Sequence, residues 1–180
     1  MLRMIRFLFA SFWIFSAGIL TCPPLYAVEF SAKVPETVSF VDLNRYLGKW
    51  YEIASIPTWF QRGCAKTEAN YSLNNDGTIK VVNICVRDEQ ESKAVGEAYV
   101  AVRLTNSKLK VTFFWPFYGD YWIFDLHQDY EWALVGGRDG KTLWILSREK
   151  TMPDVTYSQI LDKIKVLGFD PNLLKKTAQN

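Results

Sequence analysis

The sequence predicts an all-β protein, an eight-stranded antiparallel up-and-down β-barrel with one C-terminal α-helix packed on its outside. Three observations support this fold class. Turn-forming residues recur every eight to twelve residues, without a linker or a change of composition between them. Some segments between the turns alternate polar and apolar side chains, which is typical of strands with one buried face. A single helical pattern follows the last predicted strand.

Eight strands are assigned in chain order from these turns. Residues 66–73 are the clearest example, because polar Lys, Glu, Asn and Ser alternate with Thr, Ala, Tyr and Leu. Residues 74–77, Asn-Asn-Asp-Gly, accept the positive φ angles of a hairpin turn and lead into the next strand. The predicted strands are 50–56, 66–73, 78–86, 94–104, 108–114, 121–126, 130–136 and 141–148.

Consecutive strands with short connections form a meander, and closing it into a barrel removes both exposed edges. The interior of an eight-stranded barrel is either filled by side chains or holds one small ligand. The last element differs, since residues 153–167 place apolar Val155, Ile160 and Ile164 on one face and Gly168 ends the pattern. We therefore expect one amphipathic helix outside the barrel.

The N-terminal segment has the pattern of a secretory signal peptide. Arg3 and Arg6 are the only charged residues among the first 28, and the uncharged, largely apolar residues 7–20 follow them. Fourteen such residues would span roughly 21 Å as a helix, too short to cross a bilayer. We expect residues 1–27 to be removed, leaving a domain at 28–180. The alternative is a lipoprotein signal at 1–21, with lipidation of Cys22.

Charge and cysteine content exclude several classes of function. Charged residues make up 22% of the chain, which argues against a disordered protein. Loss of the two N-terminal arginines leaves 19 positive and 19 negative side chains, so no nucleic-acid-binding surface is expected. In an exported chain Cys64 and Cys85 favour a disulfide. With one histidine, His127, the sequence supports no metal site, and it indicates no cofactor.

The disulfide requires an irregularity in the predicted hairpin. A four-residue turn at 74–77 would pair Cys85 with Lys66, which leaves Cys64 on a diagonal of about 7–8 Å. That separation exceeds the 4.4–6.8 Å range of Cα atoms in disulfides. A bulge, or a curl of the chain at Gly63, therefore has to close the gap.

Three segments resemble the sequence motifs of the lipocalins. The first is residues 43–54, Leu-Asn-Arg-Tyr-Leu-Gly-Lys-Trp-Tyr-Glu-Ile-Ala, the second is Asp129-Tyr130, and the third is residues 143–148, Leu-Trp-Ile-Leu-Ser-Arg. They occur in the order and at the spacing of that family. Together with residues 114–119, Phe-Trp-Pro-Phe-Tyr-Gly, they look most like the bacterial outer-membrane lipocalins and their animal relative apolipoprotein D.

The resemblance covers essentially the whole mature domain and implies structural roles for its motif residues. In that family the Trp closes the barrel floor and the Arg lies across it, which implies a cation–π contact between Trp50 and Arg148. Gly48 would allow a close backbone approach where the chain turns into the first strand. Asp129 and Tyr130 belong to the same structural motif.

Alternation with a period of two gives the expected lining of the barrel. For residues 121–126 and 141–148 both faces are apolar, so the inward face is not determined, and one of these strands is expected to lie under the helix. The alternative is a barrel packed solid, with no space for a ligand. The inward positions are Ala69, Tyr71, Ile79, Val81, Leu109, Val111 and Phe113.

Bulky aromatic residues in two loops predict the mouth of the barrel. Trp59 and Phe60 follow the first strand, and Trp115, Phe117 and Tyr118 follow the fifth. In a meander both connections follow odd-numbered strands and lie at the same end. Exposed rings are unfavourable without an apolar partner, so we expect them to contact the ligand. The alternative is that these rings pack on each other as loop anchors.

Glu52 is the polar candidate within the barrel. If Trp50 points inward, strict alternation also points Glu52 inward, where a carboxylate is costly unless it is paired or neutralised. Arg or Tyr groups near the floor could hold it, or it could bind a polar head group. The alternative is a twist or bulge that turns it to solvent.

These features predict an exported protein that stores or transports a hydrophobic or amphiphilic molecule in the barrel cavity, in the cell envelope. The resemblance to bacterial lipocalins implies a fatty acid or a lysophospholipid, and a location in the periplasm or at the outer membrane if the source is bacterial. Carriage needs no chemical step, so no enzyme activity is expected. The alternatives are a thiol-dependent lipocalin-type isomerase, or a structural or membrane-interaction protein of the envelope. Oligomeric state is not specified.

Overall fold

A single antiparallel sheet closes into a barrel in the computed structural model, which describes residues 34–61 and 63–179. The predicted signal peptide at 1–27, with Cys22, lies outside the described residues. Within them consecutive strands pair from the first to the eighth, and the first strand also pairs with the eighth and the ninth. The strands are β1 (Gly48–Ser55), β2 (Ala65–Leu73), β3 (Ile79–Arg87), β4 (Gln90–Val100), β5 (Lys108–Phe114), β6 (Phe117–Leu126), β7 (Trp132–Gly136), β8 (Leu143–Ser147) and β9 (Lys175–Lys176). The predicted up-and-down barrel is confirmed.

Two α-helices flank the barrel within the same range. The four-residue α1 (Leu43–Tyr46) precedes β1, and α2 (Asp154–Val166) follows β8, as the helical pattern predicts. Short 3-10 helices occupy Trp59–Gln61 and Pro171–Leu173. None of the described helices has the length and apolar character needed to cross a lipid bilayer.

Several strand boundaries differ from the sequence prediction, by up to four residues. β4 begins four residues earlier than expected, because Asp88 and Glu89 both adopt positive φ and form a two-residue turn that pairs Arg87 with Gln90. β6 begins at Phe117 rather than at residue 121. The β2–β3 hairpin pairs Leu73 with Ile79, so its connection is one residue longer than the predicted turn.

The predicted disulfide between Cys64 and Cys85 is confirmed, with the two Cα atoms 5.3 Å apart. A bulge in the β2–β3 ladder closes the expected gap, since the register shifts between Ala65 and Glu68. Gly63, just before β2, also has a positive φ of 77°. Both irregularities that the sequence offered as alternatives are therefore present.

The apolar residues divide into two cores on opposite sides of the barrel wall. One core lies inside the barrel and includes much of the inner wall, and the other lies between the wall and α2. The two strands that were apolar on both faces take part in both cores. Tyr121, Ile123, Trp144 and Leu146 belong to the interior, whereas Trp122, Phe124, Leu143 and Ile145 pack under the helix.

The segment that follows α2 completes the wall between β1 and β2. These strands pair only where residues 48–51 face residues 68–71. Further along β1, β9 pairs with Ala54 and Ser55, and the Lys66 N–H donates to the carbonyl oxygen of Ala178. The side-chain Nε2 of Gln179 donates to two backbone oxygens, one on each strand, of Glu52 and Thr67.

Candidate ligand cavity

The barrel encloses a cavity of about 330 Å³. Volumes in this range are typical of sites for small molecules. All of β1 to β8 contribute to the wall, and α1 contributes Leu43 and Tyr46 at one end. The cavity is predominantly apolar. Because this space exists, the alternative of a solidly packed barrel is wrong.

All seven predicted inward residues line this cavity. Alternation succeeded where a strand has one polar and one apolar face, as in β2, β3 and β5. Glu52 and Phe117 also line it. The inward residues placed on the wall as predicted are Ala69, Tyr71, Ile79, Val81, Leu109, Val111 and Phe113.

Other predicted mouth residues are not on the cavity wall. Trp59 and Trp115 are 79% and 80% exposed. Tyr118 packs edge-on against Tyr99, with ring centroids 5.5 Å apart, because alternation along β6 points it away from the cavity. Phe60 belongs to the 3-10 helix after β1, and its side chain lies outside the described part of the structure.

The floor of the barrel is built around Trp50, which is fully buried. Its indole N–H donates to the carbonyl oxygen of Tyr46, and the Arg148 guanidinium lies 3.8 Å from the ring centroid. Gly48 has φ of 91° and brings the chain close to Arg148. The contacts of these residues close one end of the barrel.

Arg148 donates to the backbone carbonyl oxygens of Arg45, Leu47 and Lys49 at 2.7, 3.0 and 2.6 Å. Removal from water lowers the pKa of its guanidinium below the ordinary value, but Arg remains charged at neutral pH. At the same end Tyr130 accepts a hydrogen bond from the Asp42 N–H. Tyr130 also lies under the Arg45 guanidinium, while neighbouring Asp129 is exposed.

Three tyrosines form a hydroxyl cluster just above this floor. The Tyr121 hydroxyl lies 2.7 Å from that of Tyr46 and 3.0 Å from that of Tyr71. Burial raises the pKa of Tyr71 to about 12, and it raises the pKa values of Tyr46 and Tyr121 well above 10. The cluster therefore presents neutral hydroxyl groups to the cavity at physiological pH.

Glu52 faces the cavity and is only 5% exposed. Its carboxylate accepts hydrogen bonds from Ser55 Oγ at 2.8 Å, Gln61 Nε2 at 2.9 Å and Thr177 Oγ1 at 2.5 Å. The register between β1 and β8 does shift just after Glu52, but this bulge does not turn the side chain to solvent. The predicted Arg or Tyr partners near the floor are therefore wrong, and hydroxyl and amide groups hold the carboxylate instead.

Sequence reasoning missed several residues of the site. Tyr121 and Trp144 lie on strands with two apolar faces, so periodicity could not assign them. Gln61 lies in a loop, where no periodicity applies. Thr67 carried a usable signal, because it falls on the same face of β2 as Ala69.

Comparison with known proteins agrees with this architecture. The family model of the lipocalin-like domain matches residues 41–179. The chain belongs to the lipocalin family. This lipocalin is 40% identical over 147 residues to the outer membrane lipoprotein Blc of Vibrio cholerae, across 78% of this chain and 86% of the relative. It is 37% identical over 131 residues to apolipoprotein D of Bos taurus, across 67% and 68%. The resemblance inferred from the three motifs is confirmed.

A solved structure supports the fold of this lipocalin. Lobster apocrustacyanin A1 matches with a TM-score of 0.62 over 82% of this chain and 91% of that chain. At 20% sequence identity this similarity concerns the fold alone. Family membership and the apolar cavity together support the binding of small hydrophobic ligands.

Proposed function

We propose that this lipocalin is an exported carrier that stores or transports a fatty acid or a lysophospholipid in its barrel cavity, within the cell envelope. The observation that carries the proposal is the apolar cavity of about 330 Å³, closed at the floor by Trp50 and lined along its length by side chains of eight strands. An acyl chain is the ligand that such a deep apolar space fits best. No covalent step is needed.

Burial of the acyl chain provides the driving force. Each buried CH₂ group contributes roughly 0.8 kcal/mol, so a ten-carbon chain contributes about 8 kcal/mol before the costs of binding. This gross value is in the range of micromolar affinity. Ordering of the ligand and of the mouth loops reduces it.

Two features support a location in the envelope. Residues 1–27 have the pattern of an export signal, and the alternative at 1–21 would leave a lipidated Cys22. The relative in Vibrio cholerae is named an outer membrane lipoprotein. If the source is bacterial, either route of processing would place the barrel in the periplasm or at the periplasmic side of the outer membrane.

The isomerase alternative has less support than carriage. It needs a free thiol in the cavity, to act as a nucleophile. Cys64 and Cys85 are bonded to each other, and neither belongs to the described cavity lining. A purely structural envelope protein would differ from a carrier because its cavity would hold no ligand.

Gly119 offers a direct test of carriage. It lines the cavity between inward-facing Phe117 and Tyr121, and a Cβ added there would meet only the carbonyl oxygen of Val111, at 3.9 Å. Substitution with Ala, Leu and Phe should therefore fill the cavity progressively without backbone strain. We expect Gly119→Leu to weaken binding of dodecanoic acid and of a lysophospholipid about tenfold or more, because volume for several CH₂ groups is lost.

Isothermal titration of the delipidated protein measures this effect, and mass spectrometry of copurified lipid identifies the natural ligand. Ser72→Leu, on the exposed face of β2, is the matched control and should bind like the original protein. Thermal unfolding of each variant verifies its fold. A cavity that stays empty against fatty acids and lysophospholipids, or Gly119 variants that bind with unchanged affinity, would contradict the proposal.

A further inference from the structure

A polar niche interrupts the apolar wall of the cavity. It consists of Glu52 on β1, Gln61 in the following 3-10 helix and Thr67 on β2, all of which line the cavity. The Gln179 Nε2 donates to the backbone oxygens of both Glu52 and Thr67, at 2.7 and 2.8 Å. Contact with one common nitrogen places these two residues side by side.

We infer that this niche binds the ammonium head of an amphiphile, which makes single-chain amines and lysolipids with a primary ammonium group the preferred ligands, ahead of free fatty acids. The inference rests on the proposed carrier function and specifies which ligand the cavity selects. It follows from the charge of the niche, from its unfilled hydrogen-bonding positions and from the charges elsewhere on the wall.

The charge of Glu52 has no counterion among the described residues. The two other acidic residues of the described lining are each paired with a lysine, Glu68 with Lys49 at 3.0 Å and Asp120 with Lys110 at 2.8 Å. Glu52 is more buried than either, yet hydroxyl and amide donors alone hold it. A buried carboxylate is costly unless a cation pairs with it, so a ligand that brings a positive charge is favoured.

The niche also has unfilled hydrogen-bonding positions. A carboxylate offers about four acceptor positions, and protein donors fill three of those on Glu52, two at Oε1 and one at Oε2. The Thr67 hydroxyl is buried and has no hydrogen-bond partner within the described structure. An ammonium N–H can donate to the open position of Oε2 and another to Thr67 Oγ1.

Gln61 cannot rotate its amide to fill the niche itself. Its Oε1 accepts from Thr58 Oγ1 at 2.9 Å and from the Trp144 indole N–H at 3.2 Å. These two donors fix the amide so that Nε2 points toward Glu52. The open acceptors of the niche are therefore Glu52 Oε2 and Thr67 Oγ1, and Gln61 holds the Glu52 carboxylate in place beside them.

The same wall disfavours a free carboxylate. No Lys, Arg or His side chain lies in the described lining of the cavity, whereas the charged residues present are acidic. A fatty acid carboxylate near Glu52 would experience like-charge repulsion. An anionic ligand would have to keep its head at the mouth, and it would gain nothing from the niche.

Three probes with the same chain length test the inference: dodecylamine, dodecanol and dodecanoic acid, titrated calorimetrically at pH 7 below the concentration at which micelles form. We expect the amine to bind at least tenfold more tightly than the acid. Glu52→Gln should weaken amine binding at least tenfold and leave dodecanol within about twofold. Glu149→Gln, which removes an exposed carboxylate away from the cavity, should leave all three affinities unchanged.

The outcomes separate this inference from the carrier proposal. Similar affinities for the amine and the acid, or an amine affinity that is unchanged in Glu52→Gln, would overturn the inference and leave carriage standing. Failure of all three probes to bind would instead contradict carriage. If Glu52→Gln does not fold, Thr67→Val serves as the second variant, with an expected loss of several-fold in amine affinity and none for the acid.

Discussion

Arg148 shows how one side chain can stabilise a whole end of a barrel. The last carbonyl groups of a helix lack intrahelical partners, and α1 is only one turn long. Arg148 donates to backbone oxygens of Arg45 in this turn, of Leu47 just after it and of Lys49 in β1, while its planar guanidinium covers Trp50. A fork of five N–H donors suits this arrangement, and a lysine ammonium does not.

Arg148→Lys should therefore lower the free energy of unfolding by about 2–3 kcal/mol, because several charge-assisted hydrogen bonds are lost while the positive charge remains. Urea unfolding at neutral pH measures the change. Arg138→Lys, at an exposed position between β7 and β8, is the control and should differ from the original protein by less than about 0.5 kcal/mol. Equal stability of the two variants would contradict the structural role of Arg148.

At the scale of residues, the sequence predicted the inward positions of β2, β3 and β5 because these strands alternate. It could not predict the partners of Glu52, since Gln61 and Thr177 come from a loop and from a segment far along the chain. Such contacts depend on tertiary structure alone. The mouth rings Trp59 and Trp115 were expected to contact the ligand, but composition does not tell on which side of a loop a ring projects.

Among the elements, α2 packs on the outside of the barrel and contributes no residue to the described cavity lining. Ile160 and Ile164 are almost completely buried and pack with Phe124 and Ile145 on the outer face of the wall. The cavity lies on the other face of the same strands. Helix packing and ligand binding are therefore separated by one layer of backbone.

Ile164→Ala should lower the free energy of unfolding by about 2–4 kcal/mol, since it removes buried methyl groups and leaves a cavity in the outer core. Ligand affinity should remain within about twofold, because no atom of the ligand site is altered. Val166→Ala, 83% exposed on the same helix, is the control for unfolding and should cost far less. A parallel loss of ligand affinity in Ile164→Ala would show that the two cores are coupled.

A strand was predicted accurately where its two faces differ in burial. β5 was predicted with its observed ends, since its faces differ and turns flank it. The start of β4 was missed because residues 90–95 are exposed on both faces and carry no periodic signal. These residues pair with β3 but not with β5, so they form a free edge of the sheet where backbone hydrogen bonds rather than burial define the strand.

For the whole molecule, the closed eight-stranded barrel was predictable from the sequence. The C-terminal segment that fills the gap between β1 and β2 was not. Eight strands with short connections indicated a closed meander. The gap between β1 and β2 is filled by β9 and by Gln179, and a strand of two residues is too short to show any pattern. The sequence therefore predicts the eight strands of the wall but not the segment that joins β1 to β2.

The tyrosine cluster links distant parts of the molecule and makes its stability dependent on pH. Tyr46, Tyr71 and Tyr121 come from α1, β2 and β6 and meet in the interior. Their pKa values are raised by burial, so the folded protein holds these protons more tightly than the unfolded chain does. The resulting stability is complete below about pH 10 and is lost as the pH rises toward 12.

The free energy of unfolding should accordingly fall by about 1.4 kcal/mol per pH unit for each buried tyrosine over that window. Urea unfolding at stepped pH, together with tyrosinate absorbance, measures the slope. Tyr121→Phe should reduce the slope by about one third, and Tyr99→Phe, at a partly exposed position outside the cluster, should not change it. An unchanged slope in Tyr121→Phe would contradict this assignment.

Burial on both faces also affects how β6, β7 and β8 are aligned. Neighbouring Ile123 and Phe124 are both almost inaccessible, so sliding β6 by one residue would expose little apolar surface, unlike a slip in a strand with one wet face. The observed register must then be selected by contacts that form in that register alone. The Tyr121 hydroxyl supplies such a contact, and Gly136 supplies another, since any larger residue would collide with the carbonyl oxygen of Thr142. In these strands the tyrosine cluster and Gly136 therefore determine the register. Elsewhere in the barrel the alternation of polar and apolar residues determines it.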